Sequence, residues 1–334
     1  VNGSDKIGGL NVNGTLSTEG LAVTLVFVDA TQGWLVTDNG TQNTAPTALY
    51  VTATGGTITC SGDFRIHTFT GPGTFCVSCA GNPSGSTLVD YLVVAGGGGG
   101  GAGCGGGGGA GGFRVSNSYS IPAPTMSPLS NPTGLPVSVQ GYTIAVGGGG
   151  IGRQYPPTGD GGNGVNSTFS TITSTGGGGG GGGSQAGANG GSGGGRGPGA
   201  SGDGNTPPVS PSQGFPGRPD GANGSGGGGA GGSIPQPAGG NGVDGSFVSP
   251  LFAGSNGTTG PVGSVRYFAG GGSGNEKGTA GAGGGGPSVP SGTGPVACAG
   301  TINTGGGGGG WNGNPPGAGA GGSGIVIIRY KFQN

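Results

Sequence analysis

Charged residues are scarce in this chain. They make up only 6% of its 334 residues, with Lys+Arg 10, Asp+Glu 11 and a formal net charge of −1, whereas an ordinary soluble domain has about 25%. The basic residues are scattered singly from Lys6 to Lys331. Because phosphate binding needs clustered Lys and Arg, we expect no nucleic-acid partner.

Long apolar runs are also missing. No run approaches the roughly 18 apolar residues that span a bilayer, and no charged segment followed by an apolar one marks a signal peptide. We therefore expect no membrane insertion. The first residue is Val1 rather than Met, so we expect a processed product or a piece of a longer polypeptide.

The residue types that catalysis uses are rare and dispersed. The only histidine, His67, lies in the alternating run 64–69 on the face opposite to Ile66, where we expect it to face solvent. The carboxylates are scattered, which argues against the paired acids of a glycan depolymerase. We interpret Asp160, Asp203, Asp220 and Asp244 as turn residues. These observations predict that the protein is not an enzyme and has no cofactor and no metal site.

The five cysteines are odd in number. Cys76 and Cys79 have the CxxC spacing, but a zinc site needs two more ligands. Contact between Cys60 and one of that pair is an open alternative. We favour buried thiols that act as small apolar side chains. Cys104, inside a glycine block, is interpreted as a place where a face of the bundle meets the β-rich part, with Cys298 as a candidate partner.

Glycine is what the chain has in excess: Gly 100 of 334 residues, against a usual share of about 7%. Collagen needs Gly at every third residue, and the uninterrupted run 176–183 breaks that register. A flexible linker is the alternative. It does not explain why separate glycine blocks alternate with aromatic-bearing segments and why the chain ends in a strand-like run, 325–332.

Residues 1–95 are typical of short strands rich in β-branched and aromatic residues. The predicted strands are 23–28, 34–37, 49–54, 64–69, 74–79 and 88–95. We expect the strands on either side of 70–73 to form a hairpin. No helical periodicity of useful length occurs, so we expect essentially no α-helix.

Glycine blocks dominate after Ala95. The blocks are 96–112, 147–150, 176–183, 190–197, 226–232, 270–274, 281–286 and 305–310. We predict three parts: a β-rich attachment or shaft-proximal segment (1–48), a β-sandwich-like segment (49–95), and a glycine-rich domain closed by a C-terminal strand (96–334).

The physical arrangement we predict for the blocks is a bundle of polyproline II or polyglycine II helices with intervening loops. That helix has three residues per turn and no internal hydrogen bonds, so its backbone groups must bond to neighbouring segments. Without Cβ atoms the segments can approach closely. We expect interrupting residues such as Ala102 and Ser192 only on outward faces.

Several passages resemble the glycine-rich domain of bacteriophage tail-fibre and other virion appendage proteins. They are 69–75 (FTGPGTF), 90–95 running into 96–112, 142–150 (YTIAVGGGG), 303–310 (NTGGGGGG) and 320–330 (AGGSGIVIIRY). The stretch 28–37 is similar to β-rich segments that precede such domains. The block arrangement is also similar to the tip adhesins of T-even-like phages, where polyglycine II helices carry variable receptor-contacting loops.

The resemblance implies that the segments between blocks are contact loops: 151–165, 197–224, 233–255, 275–279, 287–302 and 311–317. Tyr, Trp and Arg dominate binding hot spots. The candidate receptor-contact residues are Arg153, Tyr155, Phe215, Arg218, Phe252, Arg266, Tyr267 and Trp311. Packing of these side chains onto the glycine bundle is the open alternative.

The function we predict is a virion structural protein, a fibre or fibre-tip adhesin that attaches a phage to its host cell. The alternative is a capsid-associated fibre or decoration protein without receptor binding. The predicted partners are two further copies in a homotrimer, other virion proteins and a host surface receptor, protein or glycan. The predicted location is the tail fibre or capsid surface of the virion.

Overall fold

The computed structural model describes most of the chain. The described residues are 6–12, 14–15, 23–39, 48–196, 200–219, 224–232, 239–274, 278–289, 297–311, 313 and 317–334. Within them the fold is mostly β, as the sequence predicts, and the only helix is a short one, α1, of 4 residues. No described helix has the length needed to cross a membrane.

The strands bear out most of the predicted runs. Their bounds are β1 Val23–Asp29, β2 Gly33–Asn39, β3 Val51–Thr54, β4 Thr57–Ser61, β5 Phe64–Phe69, β6 Gly73–Ala80, β7 Leu88–Val94, β8 Phe113–Ser116, β9 Ser130–Asn131, β10 Leu135–Pro136, β11 Gly141–Ala145, β12 Ser167–Phe169, β13 Ile172–Ser174, β14 Ser246–Val248, β15 Arg266–Phe268 and β16 Ile325–Lys331; α1 is Pro250–Ala253.

The first two strands form a two-stranded antiparallel ribbon. Its turn is closed by the Asp29 carboxylate, which accepts hydrogen bonds from the backbone N–H groups of Thr31 and Gln32. From Thr24 onward the side chains of β1 are all exposed, including Leu25, Val26, Phe27 and Val28. The described ribbon therefore has apolar side chains in solvent on both of its faces.

Two larger sheets pack face to face. One has the order β4-β5-β16-β7-β8-β9 with β10 also paired to β7, and the other has the order β13-β12-β11-β6-β3. The core between them is aromatic, with Phe75 and Phe169 buried against Tyr330. The C-terminal strand β16 lies between β5 and β7, which confirms the prediction of a closing strand.

The centre of the first sheet is buried on both faces. In β16, Val326, Ile328 and Tyr330 face the second sheet. Ile325 and Ile327 face a second core, which includes α1 and the β14–β15 hairpin. This double burial explains why the strand is a continuous apolar run rather than an alternating one.

The predicted hairpin of β5 and β6 is wrong. β5 pairs with β4 and β16, whereas β6 pairs with β3 and β11 in the other sheet. The connection 70–72 therefore crosses from one sheet to the other. Alternating patterns on both sides of a tight turn identify the two strands, but they do not show that these strands pair with each other.

His67 is buried rather than exposed to solvent, which corrects the sequence prediction. It does face away from Ile66, but the second sheet covers that side and the residue is 0% exposed. Its Nδ1 lies 2.7 Å from the Gly55 carbonyl oxygen and its Nε2 lies 3.0 Å from the Tyr330 hydroxyl. Because a carbonyl can only accept, Nδ1 carries the proton and Nε2 accepts from Tyr330.

A buried ion pair joins β7 to β16. Arg329 Nη1 lies 3.7 Å from Asp90 Oδ2, and both side chains are almost fully buried. Asp90 also accepts hydrogen bonds from Ser116 and Ser118. The guanidinium carbon of Arg329 lies 3.5 Å from the centre of the Phe64 ring. Burial lowers the pKa of Arg329 to about 10, and the Asp90 charge opposes this.

The glycine segments bond to one another through their backbones. Successive N–H groups of segment 96–101 donate in turn to three neighbours, segments 162–165, 319–322 and 106–109. Each neighbour recurs at every third residue: Gly96 bonds to Val165 at 3.0 Å and Gly99 to Gly162 at 2.9 Å. Three residues per turn is the repeat of the polyproline II helix.

These contacts leave no room for side chains. A Cβ built on Gly98 would lie 2.2 Å from the Gly178 carbonyl oxygen, and one on Gly108 would lie 2.0 Å from the Gly98 carbonyl oxygen. The atoms in the way belong to the backbone and cannot rotate aside. In these segments glycine is thus required by packing.

Asparagine and aspartate side chains complete the bonding at some edges. Asp160, Asn163 and Asn166 accept hydrogen bonds from the N–H groups of Gly182, Gly179 and Gly176, each at 2.9 Å. Asp244 accepts from Ala282 N–H at 2.7 Å in the same way. Asp160 and Asp244 therefore pair with neighbouring segments rather than serving only as turn residues; Asp220 lies outside the described residues.

Ala102 and Ser192 are both buried, at 0% exposure, contrary to the expected outward position. The Ala102 methyl lies in an apolar cluster with Trp311 and Ala318. A side chain is accommodated there because a small pocket of apolar groups, rather than another backbone, faces that position.

The glycine segments run away from the sandwich and back to it. Segment 96–101 leaves β7 and 105–112 returns to β8; 147–153 leaves β11 and 159–166 returns to β12. Segment 305–311 runs parallel to 96–101, because Gly308 and Trp311 donate to Gly98 and Gly101. Segment 317–324 then returns to β16. The intervening reversals therefore lie together at the end farthest from the sandwich.

Replacing a packed glycine should cost far more than replacing an open one. We expect Gly108→Ala to lower the free energy of unfolding by several kcal/mol, because the added methyl overlaps a backbone oxygen. The melting temperature should fall accordingly. The matched control is Gly148→Ala, where a Cβ meets nothing within 4 Å; this variant should be neutral or slightly stabilising. Calorimetric unfolding of both variants checks the expectation, and equal melting temperatures would contradict it.

The buried histidine should make stability depend on pH. Burial lowers the pKa of His67, opposed by its bond to Gly55, so the unfolded chain binds a proton near pH 6.5 that the folded protein does not. The unfolding free energy should therefore fall by up to about 1.4 kcal/mol per pH unit below about 6.5, until the folded-state pKa is reached.

Urea unfolding between pH 7.5 and 5 measures this dependence. His67→Gln, which removes the only histidine of the chain, should be less stable at pH 7.5 but nearly independent of pH over that range. A wild-type protein with the same flat profile as His67→Gln would show that His67 does not carry this dependence.

Candidate contact surfaces

The chain reversals far from the sandwich form what we call the tip surface. It consists of 102–104, 153–159, 183–186, 311, 313 and 317. Each reversal joins glycine segments that are fixed to their neighbours by backbone hydrogen bonds. The side chains of the tip surface are thus held on a base with little freedom.

The reversals also bond to one another. Gly103 N–H donates to the Trp311 carbonyl at 3.1 Å, and Gly183 N–H donates to the Gly103 carbonyl at 2.7 Å. Ala318 N–H donates to the Arg153 carbonyl at 2.9 Å. The loops therefore form one connected surface rather than separate flexible arms.

Trp311 belongs to the tip surface by position, but its side chain packs inward and is only 2% exposed. Its cluster contains Ala102, Ala297 and Ala318, with Tyr155 packed against it and partly buried. Trp311 is thus a packing residue of the tip, which corrects its prediction as a contact residue. Tyr155 and the half-buried Arg153 remain accessible to a partner.

The most exposed tip residues are polar residues and prolines that the sequence analysis did not select. They are Gln154, Pro156, Pro157, Thr158, Ser184 and Gln185. The candidate contact residues were chosen by residue type, mainly aromatic residues and Arg, and this choice does not find exposed Gln, Ser, Thr or Pro. It also includes large aromatic side chains that fill apolar gaps in the glycine bundle instead of facing a partner. Position in the reversal between two glycine blocks is the sequence signal that identifies them.

Two candidates beside the sandwich are structural. Phe252 is 0% exposed and lies in the second core. Arg266 donates to the backbone carbonyls of Ser255, Asn256 and Gly257 and so fixes the loop after α1. The contact role predicted for Phe252 is corrected by its burial, and the hydrogen bonds of Arg266 are used within the chain.

Phe215 and Tyr267, far apart in sequence, line one cleft together with Phe247. This lateral cleft has a volume of about 320 Å³ and is also lined by Pro128, Leu129, Pro261 and Asp244. The rings of Phe247 and Tyr267 are 5.5 Å apart. Phe247 was not among the sequence-predicted residues, although it lies in a predicted contact loop.

Arg218, the remaining candidate, is half-buried. Partial burial lowers the pKa of its guanidinium, and the nearby charge of Asp244 opposes that shift. This charge interaction places Arg218 near Asp244, a lining residue of the lateral cleft.

The cysteines are not buried as predicted. All five lie in the described residues, none forms a disulfide, and Cys60, Cys76 and Cys298 are exposed. Within the described chain, no three His, Cys, Asp or Glu side chains are grouped as a metal site would require. Parts of the predicted contact loops lie outside the described residues, namely 197–199, 220–223, 233–238, 275–277, 290–296, 312 and 314–316.

Comparison with known proteins gives a family. No curated protein is significantly similar to this chain. The glycine-rich domain family matches residues 68–331, a span that includes β6 to β16 and the glycine segments between them. The match thus covers most of the sandwich strands and the hydrogen-bonded glycine segments, and the chain belongs to the glycine-rich domain family.

Proposed function

We propose that this protein is a structural protein of a bacteriophage virion, a fibre or fibre-tip adhesin that attaches the virion to its host. The observation that supports the proposal is the tip surface, where several chain reversals present exposed polar side chains on one hydrogen-bonded base. Receptor contact would be made by these reversals, with Arg153 and Tyr155 among the contributing side chains.

A surface of this kind suits recognition. Loops that are already ordered lose little conformational entropy when they bind, so more of the contact energy appears as affinity. A net charge of −1 limits nonspecific electrostatic attachment to charged surfaces. Binding alone, without catalysis or a cofactor, accounts for these features.

We also propose that the glycine segments are polyglycine II helices. The three-residue repeat of their hydrogen bonds and the six segments that bond to segment 96–101 support this. Such a bundle gains rigidity without a large apolar core, which suits a projecting appendage.

A capsid-associated fibre or decoration protein is the second candidate. It is favoured by the β1–β2 ribbon, where Leu25, Val26, Phe27, Val28 and Trp34 are 38–52% exposed. Apolar side chains on both faces of a two-stranded ribbon fit a segment that is covered by other virion proteins or by further copies in a trimer. Both candidates share this attachment and differ only in receptor binding by the tip.

Binding to cells separates the two candidates. Fluorescently labelled protein should bind susceptible host cells saturably and should block adsorption of the intact phage. A Gln154→Ala/Thr158→Ala/Gln185→Ala variant, altered only at exposed tip positions, should bind at least tenfold more weakly. The matched control is Thr57→Ala/Thr59→Ala on the exposed strand β4, which should bind like the wild type.

Folding of each variant is verified by its melting temperature. Folded wild-type protein that binds no susceptible host would contradict the adhesin proposal and favour the capsid-associated alternative. Equal weakening by the tip and β4 variants would show that the tip surface is not the contact surface.

A further inference from the structure

The lateral cleft contains the side chain of Tyr267, whose hydroxyl has no hydrogen-bond partner among the described residues. Tyr267 is only 5% exposed, and its side chain lines the cleft. Among the described residues, its ring contacts Phe247 but no group forms a hydrogen bond with its hydroxyl. The hydroxyl does not belong to the buried polar atoms that lack a partner, so it opens to the cleft and can bond to a ligand there.

The other lining groups define the kind of ligand. Phe215, Phe247, Pro128 and Pro261 provide apolar surface, and Asp244 is the only charged residue among the described lining residues. Asp244 is exposed, and one of its oxygens accepts from Ala282 N–H. Its carboxylate offers an acceptor to hydroxyl donors. Since the nearby guanidinium of Arg218 offsets its charge, the cleft favours a neutral ligand with hydroxyl groups.

We propose that the lateral cleft binds a neutral saccharide, whose sugar ring packs against Phe215 and Phe247 and whose hydroxyl groups bond to Tyr267 and Asp244. A sugar ring has apolar C–H faces and an edge of hydroxyl groups, which matches aromatic walls combined with a hydroxyl and a carboxylate. The volume of about 320 Å³ lies within the usual range for ligand sites, about 300–1,000 Å³.

A proline-rich peptide is the competing occupant, because aromatic grooves also bind such segments. Its polar groups are mainly carbonyl acceptors, since proline lacks an N–H. The charged group of the cleft, Asp244, is itself an acceptor and would face those carbonyls unfavourably. The polar lining therefore favours the saccharide.

A neighbouring cleft extends the site. It has a volume of about 440 Å³ and shares Pro128 and Phe247 with the lateral cleft, while Ile121 and Met126 form part of its far wall. Because Phe247 borders both clefts, a linear oligosaccharide can pass over it and contact both. Affinity should thus increase from a monosaccharide to its oligomers.

The proposal does not depend on host attachment by the tip surface. The test uses the folded full chain, titrated by calorimetry and saturation-transfer NMR with glucose, galactose, mannose, N-acetylglucosamine and their linear oligomers. At least one series should bind, with the oligomers tighter than the monosaccharide. An oligoproline peptide is titrated in parallel.

Conservative variants locate the site. Tyr267→Phe removes only the hydroxyl and should weaken binding about tenfold, the effect of one net hydrogen bond. Asp244→Asn, which keeps the oxygen facing Ala282, should weaken binding similarly. The matched control, Tyr50→Phe, removes the same atom outside the cleft and should leave the affinity unchanged.

Three results would overturn the proposal: no saccharide binds at millimolar concentration, only the oligoproline binds, or Tyr267→Phe and Tyr50→Phe bind equally well. The tip variant Gln154→Ala/Thr158→Ala/Gln185→Ala should retain full saccharide affinity. Failure of cell attachment with intact saccharide binding would contradict the adhesin proposal alone.

Discussion

Direct hydrogen bonding between glycine backbones is the constraint on which the rest of the structure depends. Ordering glycine costs more conformational entropy than ordering any other residue, and each net hydrogen bond returns only about 1 kcal/mol. The segments are therefore stable only when each one has several neighbours. Segment 96–101 has six, because 106–109, 162–165 and 319–322 accept from its N–H groups while 150–153, 177–180 and 308–311 donate to its carbonyls. A Cβ built on Gly98 or Gly108 would lie only 2.0–2.2 Å from a neighbouring carbonyl oxygen, so this arrangement excludes side chains.

The sandwich and the glycine segments depend on each other. Strands β7, β8, β11, β12 and β16 are each adjacent in sequence to a glycine segment. The position of each strand in its sheet therefore fixes where the adjoining glycine segment begins or ends. In turn, residue Ala110 of a glycine segment joins the second core with Phe113 and Phe268. The family match, residues 68–331, begins and ends within the sandwich and so includes both parts.

Local composition predicted the elements better than their partners. Runs of β-branched and aromatic residues located β5, β6, β7 and β16, and the glycine blocks located the segments. Strand pairing and sheet packing depend on the whole fold. The predictions of a β5–β6 hairpin and of a solvent-exposed His67 were therefore both wrong. Asp160, Asn163 and Asn166 are spaced three residues apart, and each accepts a hydrogen bond from a neighbouring glycine segment. This spacing is visible in the sequence, but it has a meaning only if the segments are assumed to repeat every three residues. Residue type alone selected Phe252 and Trp311 for contact, although the same size that favours binding also favours burial.

Hydrogen exchange of the backbone amides tests the central claim most directly. The amides of 96–101 and 106–110 donate to neighbouring glycine segments, so they should be protected to a degree comparable to those of β16 and should exchange only with global unfolding. Exchange of these amides at the rate of an unfolded chain, while β16 stays protected, would contradict the account. It would mean that the glycine segments are linkers attached to a folded sandwich.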